Sequence, residues 1–181
     1  MKARIRGTIQ WVLLAAGLSP ALGVFADAGG RTPSVQFDYE PGSVWLQAAP
    51  FDRTQHQLGE CGPRWICTVD GLPFFGTDGD VPSSQLITLD VLLGDTRVAL
   101  EVSGMFDPWI DRPVKEQFSL TRYAEGLWVL RGRFSDGAAA YHGQWLITKK
   151  GAIRTQLGPS ELLCDLCLPA ITGYVQEQCN Q

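Results

Sequence analysis

The chain has 181 residues, 15 of them basic and 19 acidic, and 45% are hydrophobic. That length predicts about one domain, large enough to bury a core without leaning on disulfides. The acidic surplus argues against nucleic acid or an anionic membrane as partner, because both require clustered Lys and Arg.

Residues 1–28 read as a secretory signal peptide. Lys2, Arg4 and Arg6 precede an apolar run from Trp11 to Leu18, and the small-residue site Ala26-Asp27-Ala28 follows. The run is too short to span a membrane, which takes about 20 apolar residues, and Gly17, Pro20 and Gly23 interrupt it. No later stretch is long enough either, so no membrane span is expected after cleavage and the protein is placed in the periplasm or outside the cell. Residues 29–181 then form a single β-rich domain with 12 basic and 18 acidic residues, a net charge of −6.

The mature chain begins with a Gly-, Pro- and Ser-containing stretch whose Val35, Phe37 and Tyr39 alternate as in an edge strand. Ser43–Ala49 suits a second strand, and residues 50–63 read as a polar loop. The apolar runs Trp65–Val69 and Leu72–Phe75 are joined by Asp70-Gly71, a strong hairpin signal because both turn residues need positive φ. Residues 76–84 form a turn-rich loop. Leu86–Leu93 and Arg97–Ser103 follow, joined at Gly94-Asp95; in the latter, Val98, Leu100 and Val102 occupy alternate positions.

Residues 104–115 contain two prolines and read as a loop. Gln117–Ala124 and Leu127–Phe134 meet at Glu125-Gly126, and Asp136-Gly137 turns the chain into Tyr141–Thr148. Lys149–Gly151 leads to a last strand, Ala152–Leu157. These elements recur about every ten residues, as in an antiparallel meander. The predicted fold is therefore all-β, with about eight to ten strands in a β-sandwich or a partly closed barrel. A short C-terminal helix from Pro159 to about Leu166 would lay Leu162, Leu163 and Leu166 on the sheet.

All five cysteines, Cys61, Cys67, Cys164, Cys167 and Cys179, lie in the mature part, where oxidation favours disulfides. Cys61 and Cys67 are close enough to close a local loop. The other three compete for one further bond, and a link between the two groups stays open. Cys164-Asp165-Leu166-Cys167 has the spacing of a redox dithiol but lacks the βαβ setting that lowers a thiol pKa. The Cys-x₅-Cys spacing of the first pair is a poor zinc pattern. No metal or cofactor is expected.

No Gly-x-Ser-x-Gly elbow accompanies the two histidines, His56 and His142, so a nucleophile–base–acid set is not indicated and no catalytic residue is assigned. Asp70, Asp78, Asp80, Asp107 and Asp111 lie near loops and are the material for a paired-carboxylate enzyme. Turn chemistry accounts for Asp70, Asp78 and Asp80, since Asp bonds its local backbone. Thr77, Asp78, Asp80 and Ser83 supply some oxygens for calcium, but the Asp-x-Asp-x-Asp-Gly loop is missing.

Two loops stand out. One brings Phe74 and Phe75 beside Asp78 and Asp80; the other sets Phe106 and Trp109 around Asp107. Aromatic rings in loops either fold onto the core or anchor a partner. These seven residues are the candidate partner-binding set. The expectation is a binding protein of inhibitor or immunity type, more binder than enzyme, that neutralises a basic cell-envelope hydrolase or toxin. A glycan-acting hydrolase using the loop carboxylates and a structural envelope component are the competing readings.

Overall fold

The computed structural model describes residues 32–110 and 115–159. Eleven strands form three antiparallel sheets among these residues. Strands β1 (Ser34–Tyr39), β2 (Gly42–Pro50), β6 (Ser84–Leu93) and β7 (Thr96–Ala99) make the first sheet, in that spatial order. Strands β8 (Phe118–Ala124), β9 (Leu127–Phe134), β10 (Tyr141–Thr148) and β11 (Gly151–Pro159) make the second, a plain meander. Between β2 and β6 the chain leaves to build a small third sheet from β3 (Leu58–Gly62), β4 (Trp65–Val69) and β5 (Leu72–Pro73).

Period-two burial explains the two larger sheets. Val44, Leu46 and Ala48 of β2 and Leu89, Val91 and Leu93 of β6 turn to one side of the first sheet. Leu130 and Phe134 of β9 and Tyr141, Trp145 and Ile147 of β10 turn inward from the second, and all of them belong to one buried cluster. The two sheets thus pack as a sandwich around a shared core rather than as a single continuous barrel ladder. Each fully buried aliphatic or aromatic side chain contributes about 1.5–3 kcal/mol relative to its exposed state. Gly143 makes room for the largest of them: a Cβ there would stand 2.3 Å from the Trp145 ring.

Both open sides of the sandwich are tied. On one, Arg154 donates from Nη1 and Nη2 to the Ser103 carbonyl and hydroxyl (2.5 and 3.4 Å), and Trp145 Nε1 donates to the Glu101 carbonyl at 2.9 Å. On the other, the Phe37 and Phe118 rings meet at 5.4 Å and the Tyr39 hydroxyl donates to the Lys115 carbonyl at 3.0 Å.

Several boundaries depart from the sequence reading. The stretch at 50–63 is not all loop, because β3 lies within it and pairs with β4. The run Leu72–Phe75 is a strand only at Leu72–Pro73, since Phe75 turns away to bridge Met105. The run Arg97–Ser103 leaves the ladder after Ala99, yet Leu100 stays buried in phase with Val98. The Asp70-Gly71 hairpin forms as expected, with φ of 54° and 77°. The Cys61–Cys67 bond closes the local loop across the β3–β4 hairpin, with the Cα atoms 5.7 Å apart. Cys164, Cys167, Cys179 and the expected C-terminal helix lie outside the described residues, as does the signal segment. Among the described residues no helix is long and apolar enough to cross a membrane.

Candidate functional site

The loop from Gly104 to Ile110 is the organising feature of one end of the molecule. Its first half is zipped between two other segments. Phe75 N donates to the Gly104 carbonyl and Phe106 N to the Phe75 carbonyl, both at 2.9 Å, while Leu86 N and the Met105 carbonyl meet at 3.0 Å. Backbone donors and acceptors that a loop would otherwise leave to water are thereby satisfied.

Asp107 locks the second half. Its Oδ1 accepts from Ser83 Oγ (2.6 Å), Ser84 N (2.7 Å) and Ser84 Oγ (2.9 Å), and both of its oxygens face Ser83 N (3.1 and 3.2 Å). Asp107 N in turn donates to the Ser84 carbonyl at 3.0 Å. Asp107 and Trp109 both have positive φ, 37° and 52°. A non-glycine residue keeps that conformation only where its surroundings over-determine it, and such residues cluster at functional sites. The outcome is a sharp reversal that buries Pro108 and Ile110 and leaves Trp109 49% exposed.

A groove lies on each side of this loop. One, about 500 Å³, runs between Ala48–Pro50 and Asp107–Ile110, with Trp109 on its wall. The other, about 390 Å³, is lined by His56, Asp70, Leu72, Phe74, Ile87 and Phe106 among others. Phe106 lines the second groove and is buried, with its ring edge-on to Phe51 (5.5 Å) and Phe74 (5.4 Å). The buried Tyr141 hydroxyl donates to the Phe106 carbonyl at 3.0 Å. Burial first, and the Asp107 charge second, hold that phenol well above its ordinary pKa, so it stays a neutral donor.

In the second groove His56 Nδ1 stands 2.7 Å from Asp70 Oδ2, and the imidazole stacks on Phe51 at 4.7 Å. Asp70 Oδ1 also accepts from Gln57 N at 2.8 Å. These bonds, that from His56 above all, lower the Asp70 pKa. The pair closes the end of the β3–β4 hairpin opposite the disulfide, which accounts for it structurally. Spacing alone did not join His56 to Asp70; recognising β3 would have, since Leu58 pairs with Val69 and places residues 57 and 70 opposite each other.

The seven candidate residues therefore divide. Phe106 packs inward, Phe74 and Phe75 are half-buried, and the Asp107 carboxylate is engaged by Ser83 and Ser84. Trp109, Asp78 and Asp80 face solvent. Asp78 and Asp80 flank Gly79, whose backbone lies against the ring of Trp65, an exposed residue to which the sequence pattern gave no role beyond a strand. Nothing local in the sequence links positions 65 and 79. Among the described residues, no group of three or more His, Cys, Asp or Glu is arranged to hold a metal ion.

No protein-family model, curated protein or solved structure matches the chain.

Proposed function

We propose that this chain is a secreted or periplasmic binding protein that neutralises a basic cell-envelope hydrolase or toxin, in the manner of an inhibitor or immunity protein. The observation that carries the reading is the Asp107 clamp. It spends five contacts within hydrogen-bond distance on holding an indole outward at a groove wall. An exposed tryptophan on a pre-ordered loop is the usual form of a binding anchor, because little conformational entropy remains to be lost on association. The net charge of −6 on residues 29–181 suits a basic partner and speeds its approach. The Cys61–Cys67 bond is compatible with an oxidising compartment.

The test titrates the oxidised mature protein against basic cell-wall hydrolases and envelope toxins and reads residual activity. The expected result is stoichiometric inhibition that Trp109→Ala weakens by about tenfold or more, the usual cost of truncating an anchor. Undiminished activity across the panel at micromolar protein, with no complex on gel filtration, would overturn the reading.

A further inference from the structure

Trp65 is the second exposed indole on a braced segment, and its setting differs from that of Trp109. It opens β4 directly after the hairpin tip Gly62-Pro63-Arg64, two residues from Cys67 and its disulfide. Ile66 N donates to the Gly79 carbonyl at 2.8 Å, which fixes the neighbouring loop against the strand. Gly79 has φ of +81°, and a Cβ there would stand 2.3–2.8 Å from three atoms of the Trp65 ring. One side of the indole is therefore seated on bare backbone that only glycine supplies, while the residue as a whole remains 52% exposed.

The glycine on which this ring sits lies between two acidic residues. Asp78 and Asp80, on either side of Gly79, are exposed, and neither carboxylate has a hydrogen bond or ion pair among the described residues. The Thr77 hydroxyl donates to the Asp80 carbonyl at 2.9 Å and shapes the turn without occupying either carboxylate. Arg64 is the one cation in the hairpin tip. An aromatic face attracts a cation through its quadrupole, and adjacent carboxylates add a direct charge term.

We propose that the exposed side of the Trp65 indole, seated on Gly79 and flanked in the chain by Asp78 and Asp80, receives a Lys or Arg side chain of a protein partner. The assignment rests on the reading above that the partner is basic. It adds to the Trp109 groove a second recognition element, one selective for positive charge. The seat is pre-formed, so specificity arises from where the cation must sit rather than from the overall charge of the domain.

The experiment uses the oxidised mature protein and a tetra-arginine amide peptide at physiological ionic strength. Shifts of the Trp65 indole N–H, assigned by its loss in Trp65→Phe, and of the Gly79 amide are followed by NMR. The expected result is a saturable shift at both. Affinity read at Gly79 should fall about 3- to 5-fold in Trp65→Ala, the size of an exposed cation–π contact. A comparable fall is expected in Asp78→Asn/Asp80→Asn, which leaves the indole and its seat in place and so keeps the test valid if Trp65→Ala perturbs the hairpin. Asp95→Asn/Glu125→Gln, at turns elsewhere, should bind as the parent does.

Equal weakening in that control pair would show diffuse attraction and overturn the site. So would an unchanged affinity in Trp65→Ala, or a Trp65 shift with a chitin oligosaccharide and none with the peptide. A failed peptide titration with hydrolase inhibition intact overturns this site alone. A successful titration without inhibition of any hydrolase or toxin overturns the inhibitor reading alone.

Discussion

In the sandwich, Phe134, Tyr141 and Trp145 of the second sheet join Leu46, Leu89 and Val91 of the first in one buried cluster. In the small β3–β4–β5 sheet only Ile66 and Val69 are buried, and neither belongs to that cluster. What holds the small sheet is chemistry at its two ends, the Cys61–Cys67 bond at one and the His56–Asp70–Gln57 hydrogen bonds at the other. A region ordered by burial must turn large apolar side chains inward from one face of its strands, even where others, such as Tyr123 and Ile153, stay on the outer face. A region ordered by covalent and polar ties can leave them outside, and this one does, with Trp65 and Leu72 52% and 60% exposed. The same holds for the Gly104–Ile110 loop, where the Asp107 carboxylate orders the backbone and Trp109 stays out. Trp65 and Trp109 thus sit where order does not depend on hiding them.

Perturbing each kind of tie should separate the two regions. The largest effect belongs to the sandwich. Trp145→Ala removes a fully buried indole and its bond to the Glu101 carbonyl, and Gly143 beside it offers nothing to fill the space. Denaturant unfolding should show a loss of about 3–5 kcal/mol, and a loss below about 1 kcal/mol would mean the core is not shared as described.

The next effect is a pH dependence, also within the sandwich. Burial, and then the Arg133 charge across the β9–β10 pair, lower the His142 pKa from 6.5 to about 4. The unfolded chain takes up this proton near pH 6.5 and the folded chain only near pH 4. Stability therefore falls as pH drops through that window, by about 3 kcal/mol when complete. His142→Gln should flatten the slope between pH 6.5 and 4, and an unaltered slope would assign it to other groups. Asp70, Asp52 and Glu101 have lowered pKa values and lose their contributions at lower pH than an ordinary carboxylate would.

The smallest of the three sharpens the contrast most. Cys61→Ala/Cys67→Ala opens a loop of six-residue separation, for which the chain-entropy model gives about 2 kcal/mol. Amide exchange should accelerate across β3 and β4 while β9 and β10 keep their protection. Equal acceleration in both regions would show that the small sheet and the sandwich open as one unit.

The sandwich was readable in the sequence because its strands alternate cleanly. Tyr141–Thr148 and Leu127–Phe134 appear with the boundaries expected, and Asp70-Gly71 turns as its composition demands. The small sheet was half missed, because Leu58–Gly62 contains two glycines and no alternation, and its hairpin pairing with β4 is broken by register shifts on both sides of Glu60. The loops were readable in content but not in orientation. Phe106 and Trp109 are three positions apart in one apolar stretch, and the Asp107 clamp to Ser83 and Ser84, 24 and 23 positions away, fixes the loop in which one turns in and the other out. No local rule encodes a contact of that separation.

The excursion between β2 and β6 has a consequence for how this architecture tolerates change. The two strands pair with each other up to Pro50↔Ser84, and Phe51 N donates to the Ser83 carbonyl at 2.9 Å, so the ladder closes beneath the excursion before it begins. Residues 52–82 hang from that closed base as a cassette. The β3–β4 hairpin, its disulfide and the Trp65 platform are the part open to rewriting, while Phe75 and Gly76, bonded to the Gly104–Phe106 backbone and to Ser135, fix where the chain returns to the sandwich.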